Sequence, residues 1–274
     1  RLYPLLKNTF KEIRETNFEQ RRKLSGLGSD RADLILAGAS VIQCLIEATG
    51  GKKIIISGCG IREGLFLDYF AKTSGQPLIA RDILAESTRN ILMLYSSDVK
   101  HSEHITALAL TMFDSWKTIH GLGPSWRRLL RTAAMLHDIG ITINYYSHAR
   151  HSAYMIENAR LFGLTHKEQV IAAAIAGWHN GVSRSYLRNK AYKYFLSDSD
   201  LTKISQLALL LALAESMDYS QTMKISEIIP EIRSKKTASL TLKADSLPSI
   251  ELHQLKQHLP WFGKVFNMEL VIET

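Results

Sequence analysis

Cysteine is nearly absent from this chain: Cys44 and Cys59 are the only two in 274 residues, and neither stands at a metal-ligand spacing. That excludes a disulfide framework and points to a reducing compartment, the cytoplasm. Long apolar runs are missing as well. The leading candidate, Leu207 to Met217, is interrupted by Glu215 and bounded by polar positions, far short of the roughly 18–20 residues that span a bilayer. No membrane partner is expected. Low-complexity tracts and internal repeats are also lacking. With 46% hydrophobic and 22% charged residues, the chain can bury a sizeable core and is long enough for more than one domain.

What is present begins with charge. A net charge of +8 suits an acidic partner such as polyphosphate, a nucleotide or a nucleic acid, although the same charge also serves solubility. One cluster concentrates it: Arg184, Arg188, Lys190 and Lys193 interleave with Tyr186, Tyr192 and Tyr194. Such a segment can grip phosphates or stack on bases, or form a solvated loop and helix face.

The most informative pattern is the dipeptide His137-Asp138 within Leu136-His137-Asp138-Ile139-Gly140, with His101, His151, His179 and Asp218 spread around it. Each histidine alone reads as packing on an apolar helix. Together, four imidazoles and two carboxylates are enough to bind two divalent cations, and these donors suit Mn, Mg, Fe or Zn. An Asp closing an apolar helical stretch is partly buried and needs a positive partner or a metal. Consecutive helix positions point about 100° apart, so His137 and Asp138 reach one ion only near a helix end, which Gly140 supplies. His101 shares a stripe with Ile105, Leu108 and Met112 and faces the core; His104 lies to the side and is the alternative. His179 and Asp218 each close a nearly continuous apolar helix.

The periodicity predicts helices over 83–95, 105–116, 126–136, 153–161 and 201–217. Beyond Gln221 the pattern alternates at Ala238 to Lys243, followed by a helix near Leu252 to Phe262 and a last strand from Met268 to Ile272. The first 78 residues read as helix, helix, strand, helix. Ser29-Asp30 is placed to cap the helix through Leu34 to Ile42, Lys53 to Ser57 forms a buried strand, and Thr73 to Pro77 is the linker. Gly60 and Arg62 open the helix after the strand, where backbone amides can approach an anion.

These residues resemble a known family. His101-Ser102 with Ile105 and Leu108-Ala109, then His137-Asp138, His151, His179 and Asp218, look like the HD-domain phosphohydrolases. The longer run from Leu136 through Asn144-Tyr145-Tyr146 to His148-Ala149-Arg150-His151-Ser152-Ala153-Tyr154 resembles the C-terminal half of the exopolyphosphatase and guanosine pentaphosphate phosphohydrolase (Ppx/GppA) family. The resemblance implies a mainly α fold: a partial α/β segment of an actin-like lobe over 1–78, a helical HD-type domain over 79–220, and a small α/β domain over 221–274. It places Gly60-Ile61-Arg62-Glu63-Gly64 at the end of the actin-like phosphatase domain. Family members carry Gly-rich phosphate loops and a catalytic carboxylate upstream, and nothing before Arg62 matches them. The expectation is therefore a fragment lacking those loops, with a natural short form as the alternative.

The activity implied is hydrolysis of phosphoanhydride bonds in polyphosphate or a guanosine nucleotide, in a homodimer; nucleic acid is set aside as a substrate. A self-standing HD-type phosphohydrolase acting on nucleotides and a non-catalytic polyphosphate-binding or dimerisation module are the alternatives. In the mechanism expected, His101, His137, Asp138 and Asp218 hold one cation, and Asp138 bridges to a second held by His151 and His179. Asp138 and His151 carry catalysis, while Arg150 or His148, with Gly60, Arg62, Arg184 and Arg188, contact substrate phosphate.

Overall fold

The computed structural model describes residues 2–24, 26–52, 54, 60–74, 82–95, 98–181, 196–244 and 249–274. It divides into two compact units, Arg1–Gly75 and Gln76–Thr274. Among the described residues the chain is mainly helical, with one small three-stranded sheet.

In the first unit, α1 (Leu2–Glu15) packs against α3 (Ile35–Thr49). Between them lies the short α2 (Phe18–Arg21), which Asn17 and Gln20 close with a reciprocal capping box. Ser29 and Asp30 do not cap α3; they form a separate turn of 3-10 helix, Ser29–Arg31, and α3 starts after Leu34 with no side-chain cap. Gly50, at φ 62°, ends α3 in the left-handed conformation that glycine adopts freely. Of the strand expected at 53–57 only Ile54 lies among the described residues, and α4 (Ile61–Ser74) closes the unit; it takes in Thr73 and Ser74, expected in the linker Thr73 to Pro77, whose residues 75–77 fall outside the described residues.

The second unit contains α5 (Ile83–Tyr95), α6 (Val99–Ser115), α7 (Lys117–His120), α8 (Pro124–Met135), α9 (His148–Asn158), α10 (His166–Trp178), α11 (Asp198–Ser216), β1 (Glu227–Ile232), β2 (Thr237–Lys243), α12 (Ser249–Phe266) and β3 (Glu269–Glu273). Local chemistry sets the starts of these helices. Pro124 opens α8 at a position where its missing N–H costs nothing. Thr165 with Glu168, and Ser197 with Asp200, form capping boxes at α10 and α11. From Leu207 to Ala214 every side chain of α11 is buried, so this helix is apolar all round and forms the centre of the unit. Alanines 172, 173, 174 and 176 do the same for α10, which lies between α9 and α11.

Strand β2 is central, antiparallel to β1 and parallel to β3. A parallel pair requires a crossover, and α12 provides it. Strand β1 was not apparent in the sequence because Pro230 interrupts it; the structure resolves this by placing it at the sheet edge, where a missing ladder donor is tolerated. Residues 221–274, expected as a domain of their own, share one hydrophobic core with the helices. Ile225, Ile228, Leu240, Leu255 and Phe262 join the cluster that holds Ile105 and Leu210. The Phe262 ring meets Trp116 edge-on at 5.4 Å. Among the described residues no helix is long and apolar enough to cross a membrane.

Two stability tests follow from this packing. Phe262→Ala is expected to destabilise the second unit by about 3–5 kcal/mol in one cooperative urea transition; a separate early transition confined to the C-terminal segment would contradict the shared core. At α11, Asp200 accepts hydrogen bonds from the Ser197 amide and from Lys167 Nζ at 2.9 and 2.7 Å. Burial pushes the Asp200 carboxyl up, but these partners outweigh it and hold the group below its ordinary value. A depressed folded-state pKa stabilises above the unfolded value and is lost as pH falls through the folded one. Asp200→Asn should therefore cost about 1–2 kcal/mol near pH 7, and the difference from wild type should shrink as pH drops below about 4.

Candidate metal centre

Five helix ends meet at one cleft of about 340 Å³. The tips are polar because the bodies of these helices are filled by the core. His101 lies in the first turn of α6, where its own amide donates to the Asp98 carboxylate at 2.8 Å. His137 and Asp138 follow the C-terminus of α8, His148 opens α9, His179 follows α10, and Glu215 and Asp218 close α11.

Asp138 is the hub. Its carboxylate oxygens lie 3.8 Å from His101 Nε2, 3.6 Å from His137 Nε2 and 3.4 Å from His148 Nε2. Two sets of donors bring their ligand atoms within 4.8 Å of one another: His101, His137 and Asp138, and then Asp138, His148, His179 and Glu215. The shared member is Asp138. Around it, the outer nitrogens of the rings are fixed. His137 Nδ1 bonds the Ala134 carbonyl at 2.8 Å, His148 Nδ1 the Tyr145 carbonyl at 3.2 Å, and His179 Nδ1 the Ala176 carbonyl. With Nδ1 so engaged, each imidazole presents Nε2 to the cleft, the arrangement by which a carbonyl orients a ligating histidine.

Three of those inward atoms, His137 Nε2, Asp138 Oδ1 and His148 Nε2, are buried without a hydrogen bond, a costly state for polar atoms in a protein interior, and the fourth, His179 Nε2, meets only the Glu215 carboxylate, itself a member of its donor set, 3.0 Å away. His120 is the control. It is also buried, yet its Nε2 donates to the Phe113 carbonyl at 2.7 Å and its Nδ1 accepts from the Leu122 amide at 2.9 Å, so it is a satisfied core histidine. Three orphaned atoms, with His179 Nε2 and the Glu215 carboxylate beside them, fit divalent cations.

The charge balance agrees. Burial pushes the Glu215 carboxyl up, but His179, 3.0 Å away, with His137 and His148 beyond, brings it down to about 2. His179 is raised in turn, since Glu215 outweighs the burial that lowers it, whereas in His137 burial wins and the pKa falls. Burial likewise opposes the charged forms of His101 and Asp218, and their 2.8 Å contact reverses both, raising the imidazole and lowering the carboxyl. The cleft is lined by Asp138, Glu215 and Asp218, and among the described residues lining it there is no lysine or arginine. A phosphate cannot settle against three carboxylates unless cations lie between them.

The structure thus sorts the residues expected from the sequence. His101, His137, Asp138 and His179 come together. His151 does not join either donor set; His148, three residues earlier and expected as a phosphate contact, occupies the ligand position instead. The reason is the register of α9. Ser152 Oγ accepts from the Gly140 amide at 2.8 Å, and His148 lies on the same stripe as Ser152, four positions before it. Asp218 reaches the site as a partner of His101, not as a member of a donor set: one oxygen meets His101 Nδ1 and the other accepts from the Met223 amide at 2.6 Å. Glu215, read from the sequence only as an interruption of an apolar run, is the donor that was missed.

The phosphate-contact expectations fare differently. Arg150 is exposed and does not line the cleft. In the first unit, the Gly60 amide donates to the Glu63 carboxylate at 2.9 Å, an internal cap that takes the place of an anion, and Arg62 is exposed. Arg184 and Arg188 lie outside the described residues. His104, the alternative to His101, belongs to neither donor set.

The cleft of this helical unit gathers histidines and carboxylates in two sets around one shared aspartate, a donor arrangement that could hold divalent metal ions. Comparison with known proteins gives the lineage. The family model described as Ppx/GppA phosphatase, domain III, matches residues 83–258, and that of the Ppx/GppA phosphatase family matches residues 3–73. The chain belongs to the Ppx/GppA phosphatase family. It is similar to the guanosine-5'-triphosphate,3'-diphosphate pyrophosphatase of Pseudoalteromonas translucida, 25% identical over 243 residues, covering 86% of this chain and 44% of the relative. The protein of the same name from Vibrio cholerae is 24% identical over 247 residues, 88% of this chain and 46% of the relative. That from Aeromonas hydrophila is 29% identical over 160 residues, 56% and 30% respectively. The chain spans less than half the length of these relatives.

Metal analysis discriminates between the two histidines. Asp138→Ala should remove most bound divalent metal from the purified chain, because both donor sets lose a member, and His148→Ala should remove about half or more. His151→Ala should leave the metal content at the wild-type level. Loss of metal in His151→Ala with retention in His148→Ala would reverse the assignment.

Proposed function

We propose that this chain carries an HD-type, two-cation phosphohydrolase centre, and that the protein hydrolyses phosphoanhydride bonds in polyphosphate or a guanosine nucleotide. The observation that carries the proposal is the set of three buried atoms without a hydrogen bond, on His137, Asp138 and His148, that converge with His179 and Glu215 in two donor sets sharing Asp138. The relatives, named as pyrophosphatases of a guanosine nucleotide, support the same substrate chemistry, and a homodimer in the cytoplasm is the setting we assign to it.

His101, His137 and Asp138 would hold one cation, and Asp138, His148, His179 and Glu215 the other. When bound, divalent cations neutralise phosphoryl oxygens and acidify a water molecule. The protein's own groups do the rest. Asp138 keeps the two donor sets in register. Asp218 fixes the His101 ring by holding Nδ1, as the carbonyls of Ala134, Tyr145 and Ala176 fix the other three. With Asp138, Glu215 and Asp218 on the cleft lining, the cations would carry the attraction for substrate phosphate. A non-catalytic binding module has no need of this arrangement, since basic side chains alone would hold a polyanion.

The test is phosphate release from tripolyphosphate and from GTP by the purified chain with added Mn. Activity should disappear with a chelator, return on adding metal, and fall by about 100-fold or more in Asp138→Ala. Release that persists in that variant, or that never appears with metal supplied, would overturn the proposal.

A further inference from the structure

The cleft has an aromatic rim that the metal chemistry does not use. Tyr145 and Tyr146, adjacent in the loop between the 3-10 turn Ile139–Thr142 and α9, are 66% and 81% exposed, and Tyr219 beyond α11 is 47% exposed. All three line the same cleft as the donor sets. Large aromatic side chains gain most from burial, and here they remain in water at the mouth of a site.

Their placement is built. Ser147 adopts φ 61° and Gln221 φ 54°, left-handed conformations that are unfavourable for residues other than glycine and that concentrate at functional sites. Both residues line the cleft. The reversal at Ser147 separates Tyr146, which faces solvent, from His148, which faces Asp138. The Tyr145 and Tyr146 rings stand 5.9 Å apart at 79°, and the Tyr145 ring is 6.2 Å from that of His148. An occupant whose phosphate meets the donor sets therefore has its next portion against tyrosine. On the α12 side the wall carries Gln254, whose amide both donates and accepts hydrogen bonds, as the edge of a base does.

Inorganic polyphosphate has nothing to offer these rings. It is apolar nowhere, and tyrosines are poor partners for its oxygens compared with lysine or arginine. A purine base presents a flat π-face, and stacking of a base on an aromatic side chain is worth roughly 5- to 150-fold in affinity. The cleft volume of about 340 Å³ falls within the range of small-ligand sites. We infer that the tyrosine rim is a base-stacking platform and that this cleft takes a purine nucleotide, phosphate toward Asp138 and base against Tyr145, Tyr146 and Tyr219. The inference rests on the cation-centre reading for the phosphate end, and on the rim alone for the base.

The experiment is calorimetric binding of β,γ-imido GTP, β,γ-imido ATP and inorganic tripolyphosphate to the full chain, with metal content measured on the same samples. The expected result is nucleotide affinity about 10-fold or more above that of tripolyphosphate. Tyr146→Ala and the double variant Tyr145→Ala/Tyr146→Ala should remove that advantage while leaving metal content and tripolyphosphate affinity unchanged. Phe at the same positions should preserve it, and so should Tyr154→Ala, whose exposed ring lies outside the cleft. Tyr146, 81% exposed, can be truncated without disturbing the core. Equal affinity for nucleotide and tripolyphosphate in a metal-loaded chain, or an advantage that survives the alanine variants, overturns the rim and leaves the cation centre standing. Tyrosine-dependent nucleotide binding by a chain that holds no metal does the reverse, and absence of both metal and nucleotide binding overturns both.

Discussion

The cleft depends on how closely α9 approaches the turn that carries Asp138, and that approach is possible only because residue 140 has no side chain. A Cβ on Gly140 would lie 2.3 Å from the His148 carbonyl oxygen and 2.3 Å from the Ser152 nitrogen, both backbone atoms that cannot swing aside. The Ser152 hydroxyl then accepts from the Gly140 amide and fixes the rotation of the helix. Rotation decides which histidine faces Asp138. Gly177 acts similarly one layer away, where a Cβ would meet that of Ala153 at 2.9 Å and force α9 and α10 apart. Small residues thus convert a packing constraint into a register for ligands.

The second constraint is electrostatic. Three carboxylates line a cleft whose described walls contain no lysine or arginine, while His137 Nε2, Asp138 Oδ1 and His148 Nε2 are buried without a hydrogen bond. Without cations the molecule compensates in part through ion pairs, His101 with Asp218 and His179 with Glu215. These pairs explain the raised imidazoles and the low Glu215 carboxyl, but they leave Asp138 Oδ1, His137 Nε2 and His148 Nε2 unanswered. The fold is therefore polarised: apolar α10 and α11 stabilise it through their bodies, and the same helices deliver His179, Glu215 and Asp218 at their ends. Stability and site lie on one set of helices, separated along the axis.

Much of this was legible in the chain. Apolar periodicity predicts a helix over 83–95, the observed span of α5, and one that falls within a few residues of α11, because such periodicity is a local property. His101 was preferred to His104 from a single stripe of apolar neighbours, and His137, Asp138 and His179 from their positions at the ends of apolar runs. Other features were hidden for specific reasons. His148 and His151 both begin α9 and differ only in the rotation that Gly140 and Ser152 impose. Glu215 interrupts an apolar helix and looks like a break in a pattern; only the arrival of His179 and His148 from other helices makes it a donor. Pro230 masked β1 because its tolerance depends on being at an edge.

By itself the sequence determined the mainly helical architecture and a pool of histidines and carboxylates placed at helix tips, since each of these follows from residues within a few positions of one another. The tertiary structure decided which of them meet. Asp138 joins two donor sets, Asp218 serves His101, His148 displaces His151, and the C-terminal strands share the helical core through Phe262 and Leu240. Those choices belong to distances between elements far apart in the chain, and they are set by backbone approach and helix rotation that no local pattern encodes.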